Sequence, residues 1–172
     1  MGPVRTLVLM RHAKAEAFAG SDEARPLAVA GRRQAAAAGD AMVAAGLVPQ
    51  GVIVSSALRT RQTWDLVAGR LENAPQVQIS EELYDASARS ALDIIRLADP
   101  EIATLMVVGH EPVMSSLAFM LAGPGSAHVD QVRLGVPTAT LCVLTTTASW
   151  ADLDRDGGEL VSVLRTSTES HS

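Results

Sequence analysis

Two histidines in this sequence each follow a run of four apolar residues. The run at 7–10 leads into Arg11 and His12, and the run at 105–108 leads, through a glycine, into His110. An imidazole has an unperturbed pKa of about 6.5, so it is largely neutral and nucleophilic in the cytosol. The pattern therefore indicates nucleophilic or proton-transfer chemistry at the ends of two strands.

Arginines accompany these histidines and add positive charge. Besides Arg11, there is Arg59, which follows the serine-terminated run at 52–56, and Arg25, which lies in a polar segment before a proline. A planar guanidinium binds two phosphate oxygens at once and offsets the repulsion between a phosphate dianion and a nucleophile. The combination predicts a pocket for an anion, with phosphate the commonest candidate.

The elements that must position these side chains follow from the hydrophobic pattern. Strand-like runs alternate with helical patterns, which is typical of an α/β fold with a mainly parallel sheet. The pattern predicts strands at 5–10, 51–55, 77–79, 103–108, 138–146 and 159–164, and helices at 29–45, 58–71, 87–98 and 112–122. The last two strands should pair as a hairpin. We expect a three-layer α/β/α sandwich with a mainly parallel central sheet and a C-terminal antiparallel hairpin. Ligands of such sheets bind beyond the carboxyl ends of the strands.

Length and composition set the limits of this interpretation. The 172 residues suit a single domain over 1–172, and the small polar segment 166–172 reads as a frayed tail. A net charge of −5 argues against nucleic-acid binding, and no apolar run is long enough to span a membrane. One cysteine, Cys142, precludes an intramolecular disulfide, and no signal peptide is evident. These features predict a cytoplasmic protein.

Other chemistries find little support in the sequence. A cysteine phosphatase needs arginine six residues after its cysteine, and Ala148 stands there. No glycine-rich loop ends in Gly-Lys-Ser/Thr. The acidic run from Asp152 opens like a calcium loop, but its twelfth position is Val163 instead of glutamate. His128 and His171 have no partners at metal-ligand spacing. We therefore expect no metal and no cofactor.

Five segments of the sequence resemble motifs of one family, and they occur in that family's order. They are LVLMRHAKAE (7–16), DEARPLAVAGRRQA (22–35), SSALRTRQT (55–63), EELYDA (81–86) and VGHEP (108–112). The chain resembles the histidine phosphatase superfamily in its SixA-like phosphohistidine phosphatase branch. Any one motif would be weak, but the combination is specific.

The resemblance implies a role for each matching residue. His12 would be the nucleophile that forms a transient phosphohistidine, and the phosphoryl oxygens would be held by Arg11, Arg59, His110 and Arg25. Glu82 would donate the proton to the leaving group, although the adjacent Glu81 leaves that assignment open. Alanine at position 13, where many members have glycine, and Ala57, where proline is frequent, depart from the pattern.

Three functions fit these expectations. The first is a metal-independent phosphatase that removes phosphate from phosphohistidine in a protein. The second is a phosphatase of small phosphomonoesters. The third is a non-catalytic module that binds phosphoproteins, although such a module would not require the nucleophile His12 to be retained. The absence of the long insertions of mutase-like relatives implies an open site, which suits a phosphorylated protein.

Overall fold

One six-stranded sheet organises the molecule, of which the structure, a computed structural model, describes residues 2–166. The strands are β1 (Arg5–Arg11), β2 (Gly51–Ser55), β3 (Val77–Ser80), β4 (Thr104–Gly109), β5 (Leu141–Thr146) and β6 (Glu159–Leu164). They lie side by side in the order β3-β2-β4-β1-β5-β6. The predicted tail lies outside the described residues except for Thr166.

Strand β1 sits inside the sheet, between β4 and β5. It pairs with β4 in parallel and with β5 antiparallel. The pairs β2–β3 and β2–β4 are also parallel, whereas β5 and β6 form the antiparallel hairpin. This arrangement confirms the predicted mainly parallel sheet and its C-terminal hairpin.

Helices cover both faces of the sheet. They are α1 (Val29–Ala44), α2 (Leu58–Ala68), α3 (Glu81–Tyr84), α4 (Ala88–Arg96) and α5 (Val113–Ala122). Side chains along β1 alternate between two cores, since successive residues of a strand point to opposite faces. Val8 packs in the core that α1 and α2 cover, and Leu9 packs in the core that α4 and α5 cover. The three-layer α/β/α prediction is thus confirmed.

The structure changes some predicted boundaries, most clearly at β5. The prediction began that strand at Thr138, but β5 begins at Leu141. Ala139 has a positive φ of 60°, and its N–H is shared between the carbonyls of Arg11 and His12. The segment before β5 therefore leaves the ladder and crosses the end of β1.

Two helical boundaries also differ from the sequence pattern. Helix α2 stops at Ala68 instead of Leu71, because the next N–H groups, of Arg70 and Leu71, donate to carbonyls three residues back in tighter turns. The four-residue helix α3 was not predicted; the Ser80 hydroxyl caps it by accepting from the Leu83 N–H. Among the described residues, no helix has the length and apolar character needed to cross a membrane.

Candidate active site

His12 lies immediately beyond the end of β1 and is buried. Its backbone N–H donates to the Gly109 carbonyl at the end of β4, at 3.0 Å, which joins the two motif-bearing strand ends. Its Nδ1 lies 2.7 Å from the Ala13 carbonyl oxygen. A carbonyl only accepts, so Nδ1 carries the proton and Nε2 has a free lone pair.

The ionisation of His12 follows from its surroundings. Burial lowers the pKa of its imidazole to about 3; the positive charges of His110, Arg59 and Arg11 act in the same direction, and the hydrogen bond to the Ala13 carbonyl opposes them. At neutral pH the side chain is therefore an uncharged imidazole. This is the protonation state that a nucleophile needs.

Arg59 comes from the first turn of α2 and is only 6% exposed. Its Nη1 donates to the Asp22 carbonyl at 2.9 Å, and its Nη2 donates to Asp22 Oδ2 at 3.1 Å. The backbone of this turn is tied to the loop after His12. The Thr63 hydroxyl donates to the Arg59 carbonyl and accepts from the Ala13 N–H.

His110 follows β4 and lies beside His12, with 5.5 Å between the ring centroids. Its Nδ1 is 3.3 Å from Arg59 Nη2, and its Nε2 is 2.7 Å from Ser55 Oγ. Because arginine only donates, Nδ1 must be the acceptor and Nε2 carries the proton. Burial, followed by the charge of Arg59, lowers the pKa of His110 to about 4.

Arg11 is held from the opposite side of the pocket. Its Nη1 donates to the Val136 carbonyl at 2.9 Å. The Val136 N–H in turn donates to Glu111 Oε2, which also accepts from the Ser115 hydroxyl. Glu111 therefore fixes the segment on which the Arg11 guanidinium rests.

Arg25 reaches the site from the loop between β1 and α1. Its Nε donates to Asp22 Oδ1 at 3.0 Å, and its Nη1 donates to the Glu16 carbonyl at 2.9 Å. The Asp22 carboxylate thus lies between Arg25 and Arg59. The Tyr84 hydroxyl also donates to this carboxylate.

These side chains surround a pocket of about 340 Å³ that opens to solvent. It is lined by Arg11, His12, Lys14, Ala15, Arg25, Arg59, His110, Glu111 and Thr138. Two buried guanidinium atoms of its walls, Arg11 Nε and Arg59 Nε, have no hydrogen-bond partner among the described residues. Unpaired buried donors of this kind are costly.

The structure brings together five of the six site residues predicted from sequence. Glu82 is not among the residues that line the pocket; it is an exposed residue of α3. Its neighbour Glu81 is exposed as well. The role of either glutamate as a proton donor remains a prediction.

Sequence reasoning assigned no role to several residues that hold the site together. Asp22, Ser55 and Tyr84 contact the arginines or His110 directly, and Glu111 acts through Val136. All four residues lie inside the segments that resemble the family's motifs, and that resemblance is the sequence signal that could have pointed to them. In the part of the chain that the structure describes, no three histidine, cysteine or acidic side chains gather as metal ligands.

Comparison with known proteins places the chain in a family. Residues 7–91 match the histidine phosphatase superfamily (branch 1). An uncharacterised protein of Mycobacterium tuberculosis is 36% identical over 156 residues, which cover 88% of this chain and 96% of that protein. The family match thus covers the first four of the five motifs, and the similarity to the mycobacterial protein extends further along the chain.

Solved structures show the same relationship. The structure of the "putative phosphohistidine phosphatase SixA" from Nakamurella multipartitia has a TM-score of 0.86 and 35% identity, covering 95% of this chain and 97% of that one. The protein histidine phosphatase SixA in complex with tungstate shares the fold, with a TM-score of 0.77 at 22% identity over 94% of this chain and 97% of that one. The chain therefore belongs to the histidine phosphatase superfamily, in its SixA-like branch.

Proposed function

We propose that this member of a phosphatase family hydrolyses phosphohistidine in a protein, through a covalent intermediate on His12 and without a metal. One observation carries the proposal. His12 is a neutral imidazole with Nδ1 held by the Ala13 carbonyl, in a pocket whose walls include three arginines. The bare Nε2 can therefore attack phosphorus while the guanidinium groups bind the phosphoryl oxygens.

The reaction has two displacements. In the first, the His12 Nε2 lone pair forms a bond to phosphorus, and the bond from phosphorus to the leaving nitrogen breaks. The leaving imidazole takes a proton, for which Glu82 is the candidate from sequence. In the second, water attacks phosphorus, the bond to His12 breaks, and inorganic phosphate leaves. His12 is then again a neutral imidazole.

The arginines and His110 have a shared role in both displacements. Arg11, Arg25 and Arg59 line the pocket, where their guanidinium groups can donate to the oxygens of the phosphoryl group. Donors that are already positioned stabilise the charge of the transition state without reorganisation. His110 lines the pocket beside His12, and its ring is held by Ser55 and Arg59.

The shape around the pocket supports a protein substrate. A second open cavity, of about 750 Å³, adjoins it and shares Arg11 and Glu111 as wall residues. A small phosphomonoester would fill only the pocket of about 340 Å³. The adjoining cavity offers room for the polypeptide that flanks a phosphorylated side chain. The SixA names of the structural relatives point to the same substrate class.

A hydrolysis assay tests this proposal. Purified protein is mixed with a phosphohistidine-bearing carrier protein in the presence of a chelator, and released phosphate is measured. The wild type should release phosphate, and His12→Ala should reduce turnover by roughly a thousandfold or more. Tm and circular dichroism of the variant check that the fold is intact.

The other outcomes separate the alternatives. Turnover of sugar phosphates but not of the carrier protein would favour a small-molecule phosphatase. Binding of phosphohistidine protein with no turnover of either substrate would favour the binding module. Undiminished activity of the folded His12→Ala variant would contradict the proposed mechanism.

A further inference from the structure

Asp22 is the acidic residue that contacts two of the pocket's arginines. It lies in the loop between β1 and α1, and its side chain is 54% exposed. Its Oδ2 accepts from Arg59 Nη2 at 3.1 Å, its Oδ1 accepts from Arg25 Nε at 3.0 Å, and its backbone carbonyl accepts from Arg59 Nη1 at 2.9 Å. A single residue thus holds two arginines that were assigned to phosphate.

These contacts occupy one particular edge of the Arg59 guanidinium. A guanidinium presents its five N–H donors in a fixed planar arrangement, so fixing one edge also fixes the direction of the others. Asp22 takes the Nη1/Nη2 edge, with its backbone oxygen on one nitrogen and its carboxylate on the other. Arg59 also lines the pocket, so the direction that its guanidinium takes there depends on the contacts with Asp22.

Tyr84 holds the Asp22 carboxylate from the other side. Its hydroxyl donates to Asp22 Oδ2, and its ring lies edge-on to the His110 ring with 5.5 Å between centroids. The hydrogen bond from Tyr84, followed by the charges of Arg59 and hydrogen bonds from both arginines, lowers the pKa of Asp22 to about 2. The carboxylate is therefore ionised at neutral pH and accepts from all three donors.

We propose that Asp22 is a positioning residue, which fixes the orientation of the Arg59 guanidinium in the wall of the pocket and ties Arg25 to the same carboxylate. The inference rests on the proposed function, because it assigns a role within that site. Asp22 acts through the arginines and does not touch the reacting atoms. A carboxylate that instead competed with phosphate for Arg59 would give the opposite result when removed.

The substitution Asp22→Asn tests this role with little change in shape. The amide has one acceptor oxygen, so it cannot accept from both arginines, while the backbone carbonyl contact to Arg59 remains. We expect kcat/KM on phosphohistidine protein to fall about tenfold to a hundredfold, the order expected when a binding group is misplaced by about 1 Å. Affinity for inorganic phosphate, measured by calorimetry, should fall as well.

The matched control is Glu23→Gln, which neutralises the neighbouring carboxylate. Glu23 accepts from the Ser56 hydroxyl and contacts neither arginine through its side chain. This variant should keep wild-type kcat/KM and phosphate affinity. Tyr84→Phe removes one donor to Asp22 but keeps the ring against His110. It should therefore lower kcat/KM less than Asp22→Asn does.

A double-mutant cycle shows whether Asp22 acts through Arg59. If it does, adding Asp22→Asn to an Arg59→Lys variant should lower kcat/KM much less than adding it to the wild type. The reason is that lysine lacks the planar guanidinium edge that Asp22 fixes. If Asp22→Asn only damaged the structure, it would lower kcat/KM by the same factor in the wild type and in Arg59→Lys, and it would lower Tm. Additive effects would therefore overturn the inference.

Two further results would overturn it. One is wild-type kcat/KM and phosphate affinity in Asp22→Asn, and the other is tighter phosphate binding, which would identify Asp22 as a competitor. The proposed function can fail separately. If the wild type binds phosphate but hydrolyses nothing, the phosphatase proposal fails, and the calorimetric comparison of Asp22→Asn with Glu23→Gln still decides the role of Asp22. A wild type that binds no phosphate overturns both.

Discussion

At the scale of single residues, the site depends on hydrogen bonds that determine which nitrogen of each histidine carries a proton. The Ala13 carbonyl places the proton of His12 on Nδ1. Arg59 and Ser55 together place the proton of His110 on Nε2. Such contacts fix ring orientation as well as tautomer, so the partners matter almost as much as the histidines.

Ser55 provides a direct test of this idea. The substitution Ser55→Ala leaves the His110 Nε2–H without its acceptor, and an unsatisfied buried donor costs about 1–3 kcal/mol. We expect kcat/KM for phosphate release to fall by about tenfold, and Tm to fall by about 2–4 °C for each kcal/mol lost. Ser56→Ala is the control, because the Ser56 hydroxyl contacts only the exposed Glu23. Equal activity of the two variants would contradict this role for Ser55.

The histidines and arginines that line the pocket were predictable from sequence, whereas the partners that hold them were not. His12, Arg11 and His110 could be found because they directly follow recognisable apolar strands. Asp22 sits in a loop without periodicity, and nothing in its spacing shows that it folds back onto Arg59. Its partner Tyr84 lies 62 residues further along the chain. Contacts of that kind depend on three-dimensional loop structure, which hydrophobic patterns do not encode.

At the scale of elements, the start of α1 packs very closely on the loop that follows His12. A Cβ placed on Gly31 would lie 1.9 Å from the Lys14 carbonyl oxygen. That carbonyl accepts from the Ala28 N–H at 3.0 Å, and the Lys14 N–H donates to Gln34 Oε1. The lack of a side chain at Gly31 thus allows the loop to lie against α1, two residues away from His12.

The substitution Gly31→Ala should disturb both stability and the site. The added methyl group must displace backbone atoms of the loop, and overpacking of this kind costs about 1–3 kcal/mol. We expect a lower free energy of unfolding in urea and a weaker affinity for inorganic phosphate. Gly20→Ala is the matched control, because no atom lies within 4 Å of a Cβ built there. Unchanged unfolding and phosphate binding in Gly31→Ala would contradict this packing argument.

Element types were predictable to different degrees. A long apolar run such as that of β4 correctly predicted a strand, because both faces of the sheet are covered there and every position along the strand can be apolar. The prediction for β5 began three residues early because Ala139 is apolar in sequence yet leaves the ladder with a positive φ. The short helix α3 has too few residues for a helical period, and only its Ser80 cap identifies it.

At the scale of the whole molecule, the two site histidines make the free energy of unfolding depend on pH. Burial lowers the pKa of His12 to about 3 and that of His110 to about 4, both below the unfolded value of 6.5. Below pH 6.5 the unfolded chain therefore binds protons that the folded state does not. Their contribution to stability is complete above pH 6.5 and is lost as the pH falls towards 4 and 3.

Urea unfolding at a series of pH values measures this effect. Between pH 6.5 and 4.5 the free energy of unfolding should decrease as the pH falls, with each histidine contributing about 1.4 kcal/mol per pH unit at most. His110→Asn should have a shallower pH dependence than the wild type. Identical slopes for wild type and His110→Asn would show that His110 is not buried in its neutral form.

The central claim is that phosphate passes through His12, and trapping the phosphoenzyme tests it most directly. The protein is mixed with isotopically labelled phosphohistidine carrier, quenched within milliseconds in alkali, and digested for mass spectrometry. We expect the label on the peptide that contains His12, stable in base and lost in acid, as a phosphoramidate requires, and absent from His12→Ala. Rapid hydrolysis with an acid-stable label, or with the label on another residue, would contradict the mechanism.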